Sequence, residues 1–178
     1  MLSKSISTMI LNALTKGQSS AQSIASSAYL ALLTTLPDNQ GVGAVEVSGT
    51  TMKGYSRLLL GSNGNGQKSL DNKDFFPAAG ASWDSTENAY KVQNAANMQM
   101  SAIEEGVTAT ATVVGFAICK SVSGALTADM LAWGPLVDAN GAAATVSLTG
   151  GSVPIFYYNS TTSKGDFTLL LGAAADNS

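Results

Sequence analysis

Histidine is absent from this chain of 178 residues, and cysteine and arginine each occur once, at Cys119 and Arg57. Without histidine the usual general base at neutral pH and the commonest metal ligand are missing, which excludes Ser-His-Asp and Cys-His catalysis. A lone cysteine makes no intrachain disulfide and closes no cysteine-based zinc site. It ends the apolar run Gly115-Phe116-Ala117-Ile118-Cys119, where a buried, inert thiol is expected. Charge is scarce as well: charged residues make up 12% of the chain, about half the usual share of a soluble domain. The nine Lys+Arg are scattered singly and the net charge is −3, so there is no basic stripe to neutralise nucleic-acid phosphates. No apolar run approaches the roughly 20 residues that span a bilayer. Ser5, Ser7, Thr8 and Asn12 interrupt the apolar core that a secretory signal would need. These absences predict a soluble product, made in a cytoplasm, without a membrane address.

What is present points to one domain, long enough to bury roughly two-thirds of the surface of its unfolded chain. Ser, Thr, Asn, Gln and Gly must supply most of its wetted surface. A surface with so little charge suits a protein packed against copies of itself or other subunits. Leu2, Ile6, Met9, Ile10, Ala13 and Leu14 recur at helical spacing, which predicts an amphipathic helix over 1–17 with Gly17 as its stop. Tyr29 to Leu36 is apolar on both alternating faces and ends at Pro37-Asp38, as in a central strand covered on both sides. Tyr55 to Leu60 reads as a second strand, closed by the turn residues Gly61 to Gly66. Those glycines lack the following Lys-Ser/Thr of a phosphate loop. Residues 67–97 are irregular, and Phe75, Phe76 and Trp83 within them need burial. From Asn97 to Leu171 short alternating segments are separated by Gly124, Asp138-Asn140-Gly141, Gly150-Gly151 and Ser160 to Gly165. The pattern predicts a mainly β fold over 28–171, an antiparallel β-sandwich or jelly-roll-like barrel carrying the N-terminal helix and the 67–97 excursion. Pro154 places Ile155, Phe156, Tyr157 and Tyr158 at a strand start or a sheet edge, and an aromatic edge calls for cover by another subunit.

Catalysis would have to rest on carboxylates. Asp71, Asp74, Asp84, Glu87 and Glu104-Glu105 are the candidates for glycosidic cleavage, although Glu104 and Glu105 on one strand would face opposite ways. Asp71-Asn72-Lys73-Asp74 and Asp138-Ala139-Asn140-Gly141 offer oxygen ligands, but neither ends in the bidentate acid of a calcium loop. No cofactor or metal is called for. Glu46 and Arg57 stand almost alone among neutral neighbours and are read as a structural ion pair, with Tyr55 and Trp133 as core or interface anchors. The interface candidates are Ile6, Met9 and Ile10 on the helix, Phe75, Phe76 and Trp83 in the excursion, and Ile155, Phe156, Tyr157 and Tyr158 at the edge.

The order Asn12-x-Leu14, Tyr29-Leu30-Ala31-Leu32 with Thr34-Thr35 and Pro37, a lone Glu46, Gly54-Tyr55-Ser56-Arg57, Val114-Gly115-Phe116-Ala117-Ile118 and Leu131-Ala132-Trp133-Gly134-Pro135-Leu136 resembles a family of small bacteriophage virion proteins described as tail-fibre-like. The resemblance implies a non-enzymatic structural component of the virion, made in the host bacterial cytoplasm and carrying no catalytic residues. The expected place is the tail or baseplate, as a fibre or fibre adaptor in a trimer or ring. A capsid decoration or head-fibre protein is the alternative, and a polysaccharide-degrading fibre enzyme a more distant one. Its expected partners are other copies of itself, other virion proteins and the host surface, with no nucleic acid and no membrane.

Overall fold

The computed structural model describes Ile10 and residues 27–38, 40–62, 65–77, 80–86, 89–138, 141–162 and 164–172. The helix expected over 1–17 lies outside them, apart from Ile10. Strands dominate, and the sheets are antiparallel. In chain order the strands begin with β1 (Ser27–Thr35), β2 (Val45–Glu46), β3 (Leu58–Ser62), β4 (Asn65–Gly66), β5 (Ser82–Asp84) and β6 (Ala89–Gln93). Next come β7 (Met98–Gln99), β8 (Ala111–Val113), β9 (Gly115–Cys119), the short helix α1 (Leu126–Asp129) and β10 (Met130–Pro135). The last are β11 (Val146–Leu148), β12 (Ile155–Phe156), β13 (Tyr158–Asn159), β14 (Lys164–Gly165) and β15 (Thr168–Gly172). The chain divides into two compact units: Ser27–Leu59 with Gln99–Pro154, here the β1 unit, and Leu60–Met98 with the segment from Ile155 onward, here the β6 unit.

In the β1 unit, β9 lies between β10 and β1, and β2 also pairs with β1. The β1–β9 register matches Tyr29 to Cys119, Ala31 to Ala117 and Leu33 to Gly115. Alternation therefore puts Ala31, Leu33, Ala117 and Cys119 on one face, where they form a buried cluster beneath Tyr29, Leu126 and Met130. Leu30, Leu32 and Ile118 on the other face are buried too. This is the doubly covered central strand that the Tyr29–Leu36 pattern predicts, and each fully buried leucine contributes about 1.5–3 kcal/mol of transfer free energy. Gly115 has no room for a side chain, because a Cβ there would sit 2.6 Å from the Gly134 carbonyl oxygen and press on Leu36 Cδ2.

Two hairpin turns of one design follow β1 and β10. The Asp38 N–H donates to the Val42 carbonyl at 2.8 Å, Gly41 N–H donates to the Asp38 carbonyl at 2.9 Å, and Asp38 Oδ1 accepts Val42 N–H at 2.9 Å. Asp138, Gly141 and Ala142 repeat the three bonds at 2.8, 3.0 and 3.0 Å. The fourth residue of each turn has a φ near +80°, which is why glycine stands at 41 and 141.

The β6 unit corrects the picture of 67–97 as an irregular excursion. It contains β5 and β6, which with β15 make a three-stranded antiparallel sheet in the order β15–β6–β5. Phe76, Phe156 and Phe167 form its aromatic centre, with edge-to-face contacts at 5.9 and 5.8 Å. Phe75 and Phe76 are buried as expected, but Trp83 is 44% exposed. It sits on the outermost strand of its sheet, edge-on to Tyr90 at 5.2 Å, so one neighbour covers it instead of two.

Candidate functional site

The densest polar cluster lies in the β1 unit around Arg57. Its guanidinium donates through Nε to Glu46 Oε1 and Oε2 at 3.0 and 3.2 Å, and through Nη2 to Glu46 Oε2 at 2.7 Å and the Gly124 carbonyl at 2.9 Å. Nη1 donates to the Ser121 carbonyl at 2.8 Å and to Asp129 Oδ2. A guanidinium has five N–H donors, and every one has an acceptor here. The Glu46 pairing is the fork-to-carboxylate geometry that only arginine offers. Burial opposes a charge at Arg57, yet its bonds to Glu46 and Asp129 hold it more firmly protonated than an ordinary arginine.

Local sequence explains how these groups converge. Glu46 ends β2, and Arg57 immediately precedes β3. Ser121 to Gly124 form a turn in which Ser121 Oγ accepts the Gly124 N–H at 2.9 Å and donates to Asp129 Oδ2 at 2.8 Å. Gly124 must be glycine, since a Cβ would lie 2.5 Å from Ser121 Oγ and 2.8 Å from the Asp129 carboxyl carbon. Helix α1 then places Asp129, 4% exposed, at the far side of the guanidinium. Tyr55 closes the cluster: its hydroxyl donates to Glu46 Oε1 at 3.1 Å and accepts the Leu32 N–H of β1 at 2.9 Å. Burial, then the Glu46 carboxylate, raises its pKa above the ordinary phenol value. Tyr55→Phe leaves both the Leu32 N–H and a Glu46 oxygen short of a partner, so a loss of about 1–3 kcal/mol is expected in denaturant unfolding.

Cys119 lies near this cluster and is fully buried. Burial, only partly countered by the Arg57 charge, pushes the thiol up from 9.0 to about 12. A folded-state pKa above the unfolded one means that stability is complete below pH 9 and falls as pH rises toward 12. Tyr55 acts in the same direction from pH 10 upward. Melting temperatures measured from pH 8 to 11 should therefore fall, with a shallower slope in Cys119→Ala. An unchanged slope in that variant would remove the thiol from the account.

The structure thus pairs Glu46 with Arg57 and adds Asp129 and Ser121, which the sequence reading passed over, and Gly124, which it read only as a break between strands. Trp133 is 39% exposed and lies over Gly41, where a Cβ would meet its ring at 3.6 Å. In the β6 unit the reading also missed Asn94. This fully buried amide accepts the Phe167 N–H at 2.9 Å and donates to the carbonyls of Ala96, Tyr157 and Phe156 at 2.9, 3.1 and 3.3 Å.

Of the interface candidates, Ile6 and Met9 lie outside the described residues, and Ile10 is half-buried. Phe75 and Phe76 are a correction: at 4% and 1% exposure they belong to the core of their own unit and present no surface. Ile155, Phe156 and Tyr158 are half-buried, while Tyr157 is exposed. The carboxylates considered for glycosidic cleavage are engaged locally or open to solvent. Asp71 pairs with Lys73 at 2.9 Å, and Asp84 pairs with Lys91 at 3.2 Å. Glu87 lies outside the described residues. Glu104 and Glu105 sit at an exposed turn before Gly106 and not on a strand. Among the described residues no three groups of metal-ligating type come together. The chain matches no family model and no curated protein.

Proposed function

We infer that the chain is a non-enzymatic structural subunit of a bacteriophage particle, placed on the tail or baseplate as a fibre or fibre adaptor. The observation that carries this reading is the use of Arg57. The one guanidinium of the chain, at the end of the Gly54-Tyr55-Ser56-Arg57 motif, keeps no donor for a substrate or a phosphate, because protein acceptors take all five. The motif therefore supports architecture. The weakly charged surface and the exposed Val42, Val137 and Tyr157 favour work by contact with neighbours. The proposal includes a β-sandwich or jelly-roll-like arrangement of the sheets and assembly as a trimer or ring, where closed symmetry covers strand edges.

A capsid decoration or head-fibre protein is the second reading, favoured by the same surface. Copy number separates the two: quantitative mass spectrometry of purified particles gives tens of copies for a tail component and hundreds for a head component. Polysaccharide cleavage is the third reading. Alanine at Asp71, Asp74, Asp84 and Glu87 would abolish sugar release if it held, and would leave the incorporation of a structural subunit into particles unchanged.

A further inference from the structure

Among the described residues of the β1 unit, Thr108 to Thr110 are built like a strand and have no main-chain partner, while Val107 before them is engaged: its N–H donates to the Glu104 carbonyl at 3.1 Å, and a Cβ on Gly150 would lie 2.6 Å from the Val107 carbonyl oxygen. Burial alternates between half-buried and exposed from Val107 through Thr112, continuing the pleat of β8 toward its N-terminal side. β8 itself pairs with β11, and Leu148 opposite Ala111 is the last matched pair in that direction. Beyond it, no described residue bonds to the backbone of Thr108, Ala109 or Thr110. Alongside runs an open groove of about 320 Å³, lined by Thr51, Lys53, Glu104, Gly106 and the 107–109 segment. The Glu104 N–H donates to the Lys53 carbonyl at 2.8 Å and ties the two charged residues together at the main chain. Among the described residues neither the Lys53 ammonium nor the Glu104 carboxylate has an ion-pair partner.

We propose that Thr108–Thr110 and this groove accept an extended peptide segment of a different protein by strand addition. The main-chain donors and acceptors of Thr108, Ala109 and Thr110 supply the ladder, as strand-addition sites do at other open sheet edges. Lys53 and Glu104 select the guest, which carries an acid and a base on one face, two residues apart, because alternate side chains of a strand share a face. Apart from the two charged residues the walls are threonine, glycine, alanine and Val107, so the guest has small or hydroxylic side chains in place of aromatic anchors. Within the described chain that spacing occurs at Asp71-x-Lys73 and Lys164-x-Asp166. Asp71 already holds Lys73, and Asp166 already accepts the Tyr157 N–H at 2.9 Å. A second copy therefore offers no matching strand, and the guest belongs to another protein. This inference does not depend on the virion reading.

The test uses the full-length protein, its amide NMR spectrum, and two blocked peptides as probes, acetyl-Thr-Asp-Thr-Lys-Thr-amide and acetyl-Thr-Lys-Thr-Asp-Thr-amide. At least one should give saturable shifts at Thr108, Ala109 and Thr110. No saturation by either below about 10 mM overturns the site. Ala109→Pro, which removes one main-chain donor from an exposed segment, and N-methylation of the bound probe should each weaken binding about tenfold, the equivalent of one or two hydrogen bonds. Undiminished binding of the N-methylated probe would mean side-chain contact alone and would refute strand addition. Lys53→Glu combined with Glu104→Lys should exchange the preference between the two probes. Concentration-dependent shifts of the same amides without any probe would put a second copy in the groove and contradict the assignment to another protein.

Discussion

Arg57→Ala is expected to destabilise the protein by about 3–5 kcal/mol, enough to lower its melting temperature by roughly 10–15 °C. Among the described residues the guanidinium is the only cation set against two carboxylates, Glu46 and Asp129, with side chains 19% and 5% exposed. Removing it leaves both with fewer partners in a medium that solvates charge poorly, and it also orphans the carbonyls of Ser121 and Gly124. Arg57→Lys keeps the charge but cannot reach Glu46, Asp129 and two carbonyls from one nitrogen, so it should recover only part of the loss. The more discriminating variant is Arg57→Met combined with Glu46→Gln and Asp129→Asn. With no charge left unpaired, the triple substitution should be less damaging than Arg57→Ala alone. Wild-type melting of Arg57→Ala would show that the network does not hold β2, the 121–124 turn and α1 together.

Asn94→Leu should cost about 3 kcal/mol or more in the β6 unit, although leucine keeps the branched outline of the amide and the same number of heavy atoms. The amide bridges three stretches of chain, and its loss leaves the Phe167 N–H and three carbonyls without their side-chain partner. Gly165 packs directly against it: a Cβ there would overlap Asn94 Oδ1 and its carbonyl oxygen, so the site has no slack for another geometry. Asn94→Asp is the sharper form of the test. It replaces the donor with an acceptor that faces three carbonyls, and burial raises the new carboxyl's pKa above its unfolded value. A raised folded-state pKa gives stability at low pH that is lost as pH rises. Asn94→Asp should therefore be severely unstable at pH 7 and partly recovered near pH 4, as read by denaturant unfolding at the two pH values. Equal stability of wild type and Asn94→Leu would refute the bridging role.

The parts of this fold legible in the sequence were those set by neighbours along the chain. β1 announces itself because both of its faces are apolar, and the Asp138 turn because glycine follows at the position needing positive φ. Glu46 and Arg57 could be matched because so few charges compete for them. Asp129 gave no such signal: it lies in Thr127-Ala128-Asp129-Met130, and its partner is distant in sequence. The clue was Ser121-x-x-Gly124, a turn that prepares an acceptor pair, but a turn does not disclose what it wraps around. Asn94 was hidden in Gln93-Asn94-Ala95-Ala96-Asn97, which has the composition of an exposed loop. β6 was missed for a related reason, because Ala89-Tyr90-Lys91-Val92-Gln93 becomes a sheet only beside β15, which arrives at the end of the chain. Long-range closure decides such segments, and local pattern does not carry it.

The central claim is that this chain works by fitting among other subunits and not by transforming a substrate. The most direct measurement is a density map of the purified phage particle at a resolution that traces side chains. The account predicts the chain in a symmetric set of copies on the tail, with Arg57 still enclosed by Glu46 and Asp129 and with the surface around Val42 and Val137 against neighbours. Particles that assemble and infect normally with no copy of the chain in them would contradict it.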